Sequence, residues 1–290
     1  MQTQSVTFSS GSDTCHGTLH VPDSDQQGAA VILAHGFGGT ADCDSLMYAA
    51  EHFCRQGLVS LTFDYRCFGK SGGEPRQNLS VAMQQEDYHA AIAHLRSLEL
   101  VDPGRIGLWG TSFSGGHTLF VARQDGNIAA TVSQVPALDM ARSHEQISRH
   151  RSAEETARML ATPSSDLIKL VIDEPGDVAV FMSKDSIEFR TVEALHAKTW
   201  VNGVLASSLL SGDLATNDPS TMIDDVTTPA LVQVARDDEL NSTPGSLDYA
   251  KRFDAITVRS YDCDHFGIYK SPYKDEALRD SAAFLLEHLS

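Results

Sequence analysis

The chain has 290 residues, 41% of them hydrophobic, which suits one large α/β domain or one domain carrying an insertion. Its 39 acidic and 22 basic residues leave a formal net charge of -17, which argues against broad contact with nucleic acid or anionic membranes. The opening MQTQSVTFSSGSDT has neither a basic start nor an apolar stretch, so no secretory signal is expected, and the longest apolar run, at 29–34, is too short to span a bilayer.

Two alternating stretches come first, Ser5-Val-Thr-Phe8 and Thr18-Leu-His-Val21, around a turn rich in Gly, Ser and Asp; they predict a β-hairpin. Ala30-Val-Ile-Leu-Ala34 is a solid apolar run of the kind buried on both faces of a parallel sheet. A helix is predicted over 45–56, ending at Gly57, then a strand, Leu58-Val-Ser-Leu-Thr-Phe63. Residues 80–98 read as a helix with Ser80 at its N-cap, 105–109 as a strand, 112–124 as a helix and 127–134 as a strand. This alternation predicts a doubly wound, mostly parallel sheet.

The rhythm breaks between 137 and 219, where no convincing strand is seen. Trp200, Val201, Val204, Leu205, Leu209 and Leu210 fall at helical spacing. The expected organisation is a core formed by 1–137 and 220–290, with 138–219 inserted as a helical cap. Alternation resumes with a strand at 230–235, a helix near 243–253, a strand near 256–260 and a closing helix near 274–289. The five cysteines, Cys15, Cys43, Cys54, Cys67 and Cys263, match no disulfide or zinc framework, so free thiols in a reducing cytoplasm are expected.

Trp109-Gly-Thr-Ser-Phe-Ser-Gly-Gly116 lies between a predicted strand and helix, where a nucleophile elbow belongs. Such a turn needs small flanking residues and presents its serine at a helix N-terminus, where backbone amides favour developing negative charge. The usual G-x-S-x-G has become G-x-S-x-S-G. Ser112 is preferred as nucleophile because it sits nearer the strand end, and Ser114 in a shifted register is the alternative. Taken alone, a G-x-S reads better as an ordinary Gly/Ser turn capping a helix.

Three further segments change that balance. Ala34-His-Gly-Phe-Gly-Gly39 follows the first buried strand, where backbone amides of Phe37 and Phe113 would together hold an oxyanion. Cys263-Asp-His-Phe-Gly-Ile268 follows a late strand and places His265 as general base; it is the one so positioned among 12 histidines. Val234-Ala-Arg-Asp-Asp-Glu239 offers the orienting acid, with Asp238 first, Asp237 second and Glu239 third. The order Ser112, Asp238, His265 is that of a serine hydrolase on an α/β scaffold. No spacing of His, Asp or Glu suggests a metal hydrolase.

The stretches AHGFGG, FDYRCFGKSGGEPR, GLWGTSFSGGH and CDHFGIY resemble α/β-hydrolases of the dienelactone-hydrolase-like and S15-peptidase-like branch, which includes polyketide-transferase-type hydrolases. The resemblance covers most of the chain and is strongest before residue 140 and after 228. It implies cleavage or transfer at an ester, thioester, lactone or amide without metal or organic cofactor, with Ser112, Asp238 and His265 as triad and Phe37 and Phe113 as oxyanion donors. Two departures stand near the expected rim: Cys67 where relatives commonly have glycine, and Gly267 where aspartate is common.

The expected function is a serine hydrolase forming an acyl-enzyme on Ser112. An acyltransferase using the same triad is the nearest rival, and a non-enzymatic binding protein on the same scaffold is another. Phe181, Met182 and Trp200, with Val204 and Leu205, are the candidates for an apolar acyl pocket; packing the cap onto the core is the competing role for each. The partner expected is a small-molecule acyl substrate, with no nucleic acid or membrane, and a homodimer is left open.

Overall fold

The computed structural model describes residues 1–23, 27–184, 186, 189–210 and 213–290. The hairpin is present as β1 (Gln2–Ser10) and β2 (Asp13–Val21), paired antiparallel. There follow β3 (Gly28–Ala34), α1 (Asp44–Arg55), β4 (Val59–Phe63), α2 (Val81–Arg96), β5 (Val101–Thr111), α3 (Phe113–Asp125) and β6 (Ala130–Gln134). Ser80 caps α2 through its side chain, which accepts from the Met83 amide. After an insertion come β10 (Ala230–Ala235), α10 (Thr243–Ala250), β11 (Ile256–Tyr261) and α11 (Tyr273–His288).

These strands form one 8-stranded sheet in the order β1-β2-β4-β3-β5-β6-β10-β11. From β4 to β11 every pairing is parallel. The period-2 geometry of β3 shows how the layers assemble. Ala30, Ile32 and Ala34 belong to a cluster that includes Tyr88, Ala91, Ile92 and Leu95 of α2 and Val121 of α3. Val31 and Leu33 belong to the opposite cluster, with Leu46, Ala49 and Phe53 of α1 and Leu278 and Leu285 of α11. A strand covered on both faces must be apolar throughout, and this one is. Chain order reverses between β3 and β5, so a crevice opens beyond their carboxyl ends. The loop after β3 and the turn after β5 both lie at that crevice.

The segment between β6 and β10 corrects the expectation that it is helical. It contains α4 (Met140–Ser148), α5 (Ala153–Leu160), β7 (Leu167–Val171), β8 (Ala179–Phe181), α6 (Phe189–Val192), β9 (Val204–Leu205), α7 (Ala206–Leu210), α8 (Asp213–Thr216) and α9 (Pro219–Met222). Its strands make a 3-stranded sheet, β8-β7-β9. The stripe of apolar residues from Trp200 is therefore not one helix face. Val204 and Leu205 are buried by pairing with Ile168 and Leu167. The Leu210 side chain, the last of that stripe, lies outside those described. All five cysteines are free and buried. Among the described residues no helix is long and apolar enough to cross a membrane.

Candidate active site

β5 delivers the chain to Ser112 and α3 carries it away. Ser112 has φ 55 and ψ -118, a conformation that a residue with a Cβ holds only when its surroundings enforce it. Here the Ser112 amide donates to the Gln134 carbonyl at 2.8 Å, and its carbonyl accepts from the amides of Gly115 at 3.0 Å and Ala137 at 3.1 Å. The turn is tight enough to require glycine on both sides of it. A Cβ at Gly110 would lie 2.2 Å from the Ser114 carbonyl oxygen, and one at Gly36 would lie 3.0 Å from the Ser112 Cβ.

Ser114 is not presented as a nucleophile. It is fully buried, its hydroxyl donates to the His35 carbonyl, and it accepts from the Tyr65 hydroxyl at 2.7 Å. The residue that breaks the G-x-S-x-G pattern is thus a strut between α3, the loop after β3 and the end of β4. Ser114→Ala is expected to lower unfolding free energy by about 1–3 kcal/mol, because it strands two buried polar groups. The same variant should keep Ser112 reactive toward a fluorophosphonate, as chemical denaturation and intact-mass measurement would show together.

The loops after β10 and β11 bring the acid and the histidine together. His265 Nδ1 lies 2.8 Å from Asp238 Oδ2, and both side chains are 2% exposed. Asp238 Oδ1 accepts from the amides of Leu240 at 2.8 Å and Asn241 at 2.7 Å. Gln146 of α4 donates to the Asp238 carbonyl. Its neighbours are placed differently: Asp237 is exposed, and Glu239 faces His150 at 3.8 Å. The geometry therefore selects one of the three candidate acids.

Asn241 is a residue that sequence reasoning missed. Its Nδ2 donates to the Val135 carbonyl at 2.7 Å and stands 3.5 Å from Ser112 Oγ. The carboxylate that meets His265 also fixes the Asn241 backbone. One aspartate thus sets two groups facing the serine. Only its position three residues after Asp238 could have drawn attention to it.

Ser112, His265, Asn241, Phe37 and Phe113 line one cavity of about 420 Å³. Among the described residues, neither the Phe37 nor the Phe113 amide has a hydrogen-bond acceptor. The two rings meet edge to face at 5.3 Å, and Phe181 packs on Phe37 at 5.6 Å. Met140, Ile147, Met159, Val180 and Phe266 extend the apolar wall. Of the pocket residues expected from sequence, Phe181 lines this cavity. Met182, Trp200, Val204 and Leu205 are absent from its lining, and Trp200 packs on Phe189 at 5.2 Å instead. Cys67 and Gly267 are absent from it as well. Cys67 has φ 71, which accounts for glycine being common at such a position. His35 is buried and its ring is held down to about 4, so it is neutral at pH 7.

Glu193, just after α6, also lines the cavity and is 5% exposed. Its Oε2 accepts from the Ser45 hydroxyl, while Oε1 is buried without a partner. Burial pushes its carboxyl up from 4.5 to about 7; Asp44 adds to the rise, while the Ser45 hydrogen bond and His265 oppose it. The folded protein then holds this proton across a range where the unfolded chain has lost it. Glu193 therefore makes stability fall as pH rises from about 4.5 to about 7. Glu193→Gln cannot ionise, so it should be more stable than wild type at pH 8 by about 3 kcal/mol and nearly equal at pH 4. Denaturant unfolding at the two pH values checks this.

Residues 25–264 match the hydrolase family described as serine aminopeptidase, S33. The chain belongs to this family. As an S33-type α/β-hydrolase it is 31% identical over 290 residues to the quorum-quenching protein AidA of Acinetobacter baumannii, covering 97% of this chain and 93% of that one. It is 33% identical over 164 residues to the thiohydrolase aneE of Aspergillus aculeatus, covering 53% of this chain and 51% of that one. Among solved structures, the α/β-hydrolase GrgF from Penicillium sp. sh18 superposes with a TM-score of 0.80 at 22% identity, covering 100% of this chain and 99% of that one. That likeness carries the fold.

Proposed function

We propose that this S33-type hydrolase cleaves a carboxylic ester, thioester or lactone through an acyl-enzyme on Ser112. The observation that carries this reading is the meeting, in one apolar cavity, of a strained serine, a buried His265–Asp238 pair and two amides without acceptors. Ser112 Oγ attacks the acyl carbon while His265 takes its proton. Asp238 keeps the imidazole proton on Nδ1, so that Nε2 is the base. The Phe37 and Phe113 amides hold the tetrahedral oxyanion, each contributing about 3–4 kcal/mol in comparable sites. Asn241 positions the serine hydroxyl before attack. His265 then returns its proton to the leaving group and activates water for deacylation.

The insertion acts in this reading as a cap that shapes the acyl pocket. The name of one relative, a thiohydrolase, agrees with this bond class. Transfer to an acceptor other than water is a second reading, favoured by the 35% identity over 114 residues to a polyketide transferase of Penicillium sp. A panel of p-nitrophenyl esters of increasing acyl length, with thioester and lactone probes, tests the proposal. Turnover should improve with acyl length until the cavity is filled. Adding an alcohol acceptor and measuring how the acyl group partitions separates hydrolysis from transfer. No turnover of any probe would contradict both.

A further inference from the structure

We infer that the cavity holds a carboxylate-binding subsite at Arg151, and that the natural acyl chain carries a carboxylate at its far end. This rests on the acyl-enzyme reading of Ser112. Arg151 lies between α4 and α5. Two nearby arginines turn elsewhere: Arg149 pairs with Glu145 at 2.7 Å, and Arg158 donates to the Gly176 carbonyl at 3.0 Å. Arg151 instead lines the same cavity as Ser112, and it is the one Lys or Arg side chain among the described residues that does so.

Its setting is unusual for a cation in a chain of 39 acidic residues. Among the described residues no carboxylate pairs with it. Nη1 contacts the Met159 sulfur at 3.0 Å and the carbonyls of Val180 at 3.3 Å and Ala179 at 3.4 Å. Those contacts fix the guanidinium but do not neutralise it. Nε is buried without an acceptor. The carboxylate of Glu155 is already committed, accepting from the Ser152 amide at 2.7 Å and the Ser152 hydroxyl at 2.8 Å. Burial pulls the Arg151 pKa down, while attraction to the Glu155 carboxylate opposes the fall.

An unpaired guanidinium against apolar walls favours an anion arriving with the ligand. The surrounding Ile147, Met159, Val180 and Phe181 suit the methylenes of the chain that leads to it. A carboxylate matches the planar fork better than any neutral acceptor, and its hydrogen bonds to the guanidinium are charge-assisted. A neutral acyl chain would leave Arg151 without a carboxylate at pairing distance among the described residues.

The test uses matched p-nitrophenyl esters, one series ending in methyl and one in carboxylate, over chain lengths of about four to ten carbons. Wild type should prefer the carboxylate series at one length. Arg151→Gln should lower kcat/KM for that ester about tenfold or more, chiefly through KM, and change the neutral ester of equal length less than about threefold. Arg151→Lys should fall between them, since it keeps the charge and loses the fork. The neutral ester also reports whether each variant is folded. Equal losses on both esters, or no preference in wild type, would overturn the subsite while Ser112-dependent turnover of the neutral ester left the acyl-enzyme reading intact. Neutral-ester turnover that survives loss of Ser112 would contradict the acyl-enzyme reading itself. An Arg151 effect confined to a phosphate-bearing coenzyme A thioester, absent with its N-acetylcysteamine counterpart, would place the anion on the leaving group and overturn the assignment to the acyl chain.

Discussion

Ser112→Ala should lower kcat/KM on an activated ester by about 10,000-fold or more, the loss seen when a serine nucleophile is removed from a comparable triad. No neighbouring hydroxyl can take over. Ser114 is fully buried, and its hydroxyl is committed to His35 and Tyr65. Stability should change little, because among the described residues the one hydrogen bond to Ser112 Oγ is the 3.5 Å approach of Asn241. Steady-state kinetics paired with a melting curve separates a chemical loss from a folding loss. Residual turnover over water, from the oxyanion amides and binding alone, is expected.

Asp238→Asn should cost about 10,000-fold in kcat with the fold intact, for a reason that lies in the hydrogen bonds. Oδ1 accepts from two backbone amides, Leu240 and Asn241, so the amide oxygen of the variant must occupy that place. Its NH₂ then faces His265 Nδ1, where the carboxylate Oδ2 stood at 2.8 Å. An NH₂ can only donate. It forces Nδ1 to accept and puts the ring proton on Nε2, where the base must be bare. Catalysis fails through the tautomer rather than through displacement of the ring. Asp237→Asn is the matched control, since that side chain is exposed, and it should leave kcat within about twofold.

Much of the core was legible because its strands are buried on both faces, and such strands read as unbroken apolar runs. The loops that hold Ser112, Asp238 and His265 were legible through their place at strand ends. The choice among three consecutive acids was not. Backbone geometry alone turns Asp238 inward and Asp237 outward, and sequence carries no trace of that. The strands between β6 and β10 are hard to see in the sequence because β8 and β9 have 3 and 2 residues, too few to show a period. Trp200, Val204 and Leu205 fell at helical spacing by coincidence: two sit in a strand and one packs on Phe189. Asn241 was hidden because an asparagine in a loop after a strand is ordinary; only its distance to Ser112 gives it meaning. Ser114 replaces the glycine of the usual elbow pattern. Its hydrogen bonds show how the elbow is braced.

The central claim is that Ser112 is a nucleophile activated by its surroundings. Intact-mass analysis of the native protein after treatment with a fluorophosphonate, followed by peptide mapping, tests it most directly. One adduct should form, on Ser112, and it should be lost in Ser112→Ala and strongly slowed in Asp238→Asn. No adduct on the folded protein, or an adduct that persists when Ser112 is alanine, would contradict the account.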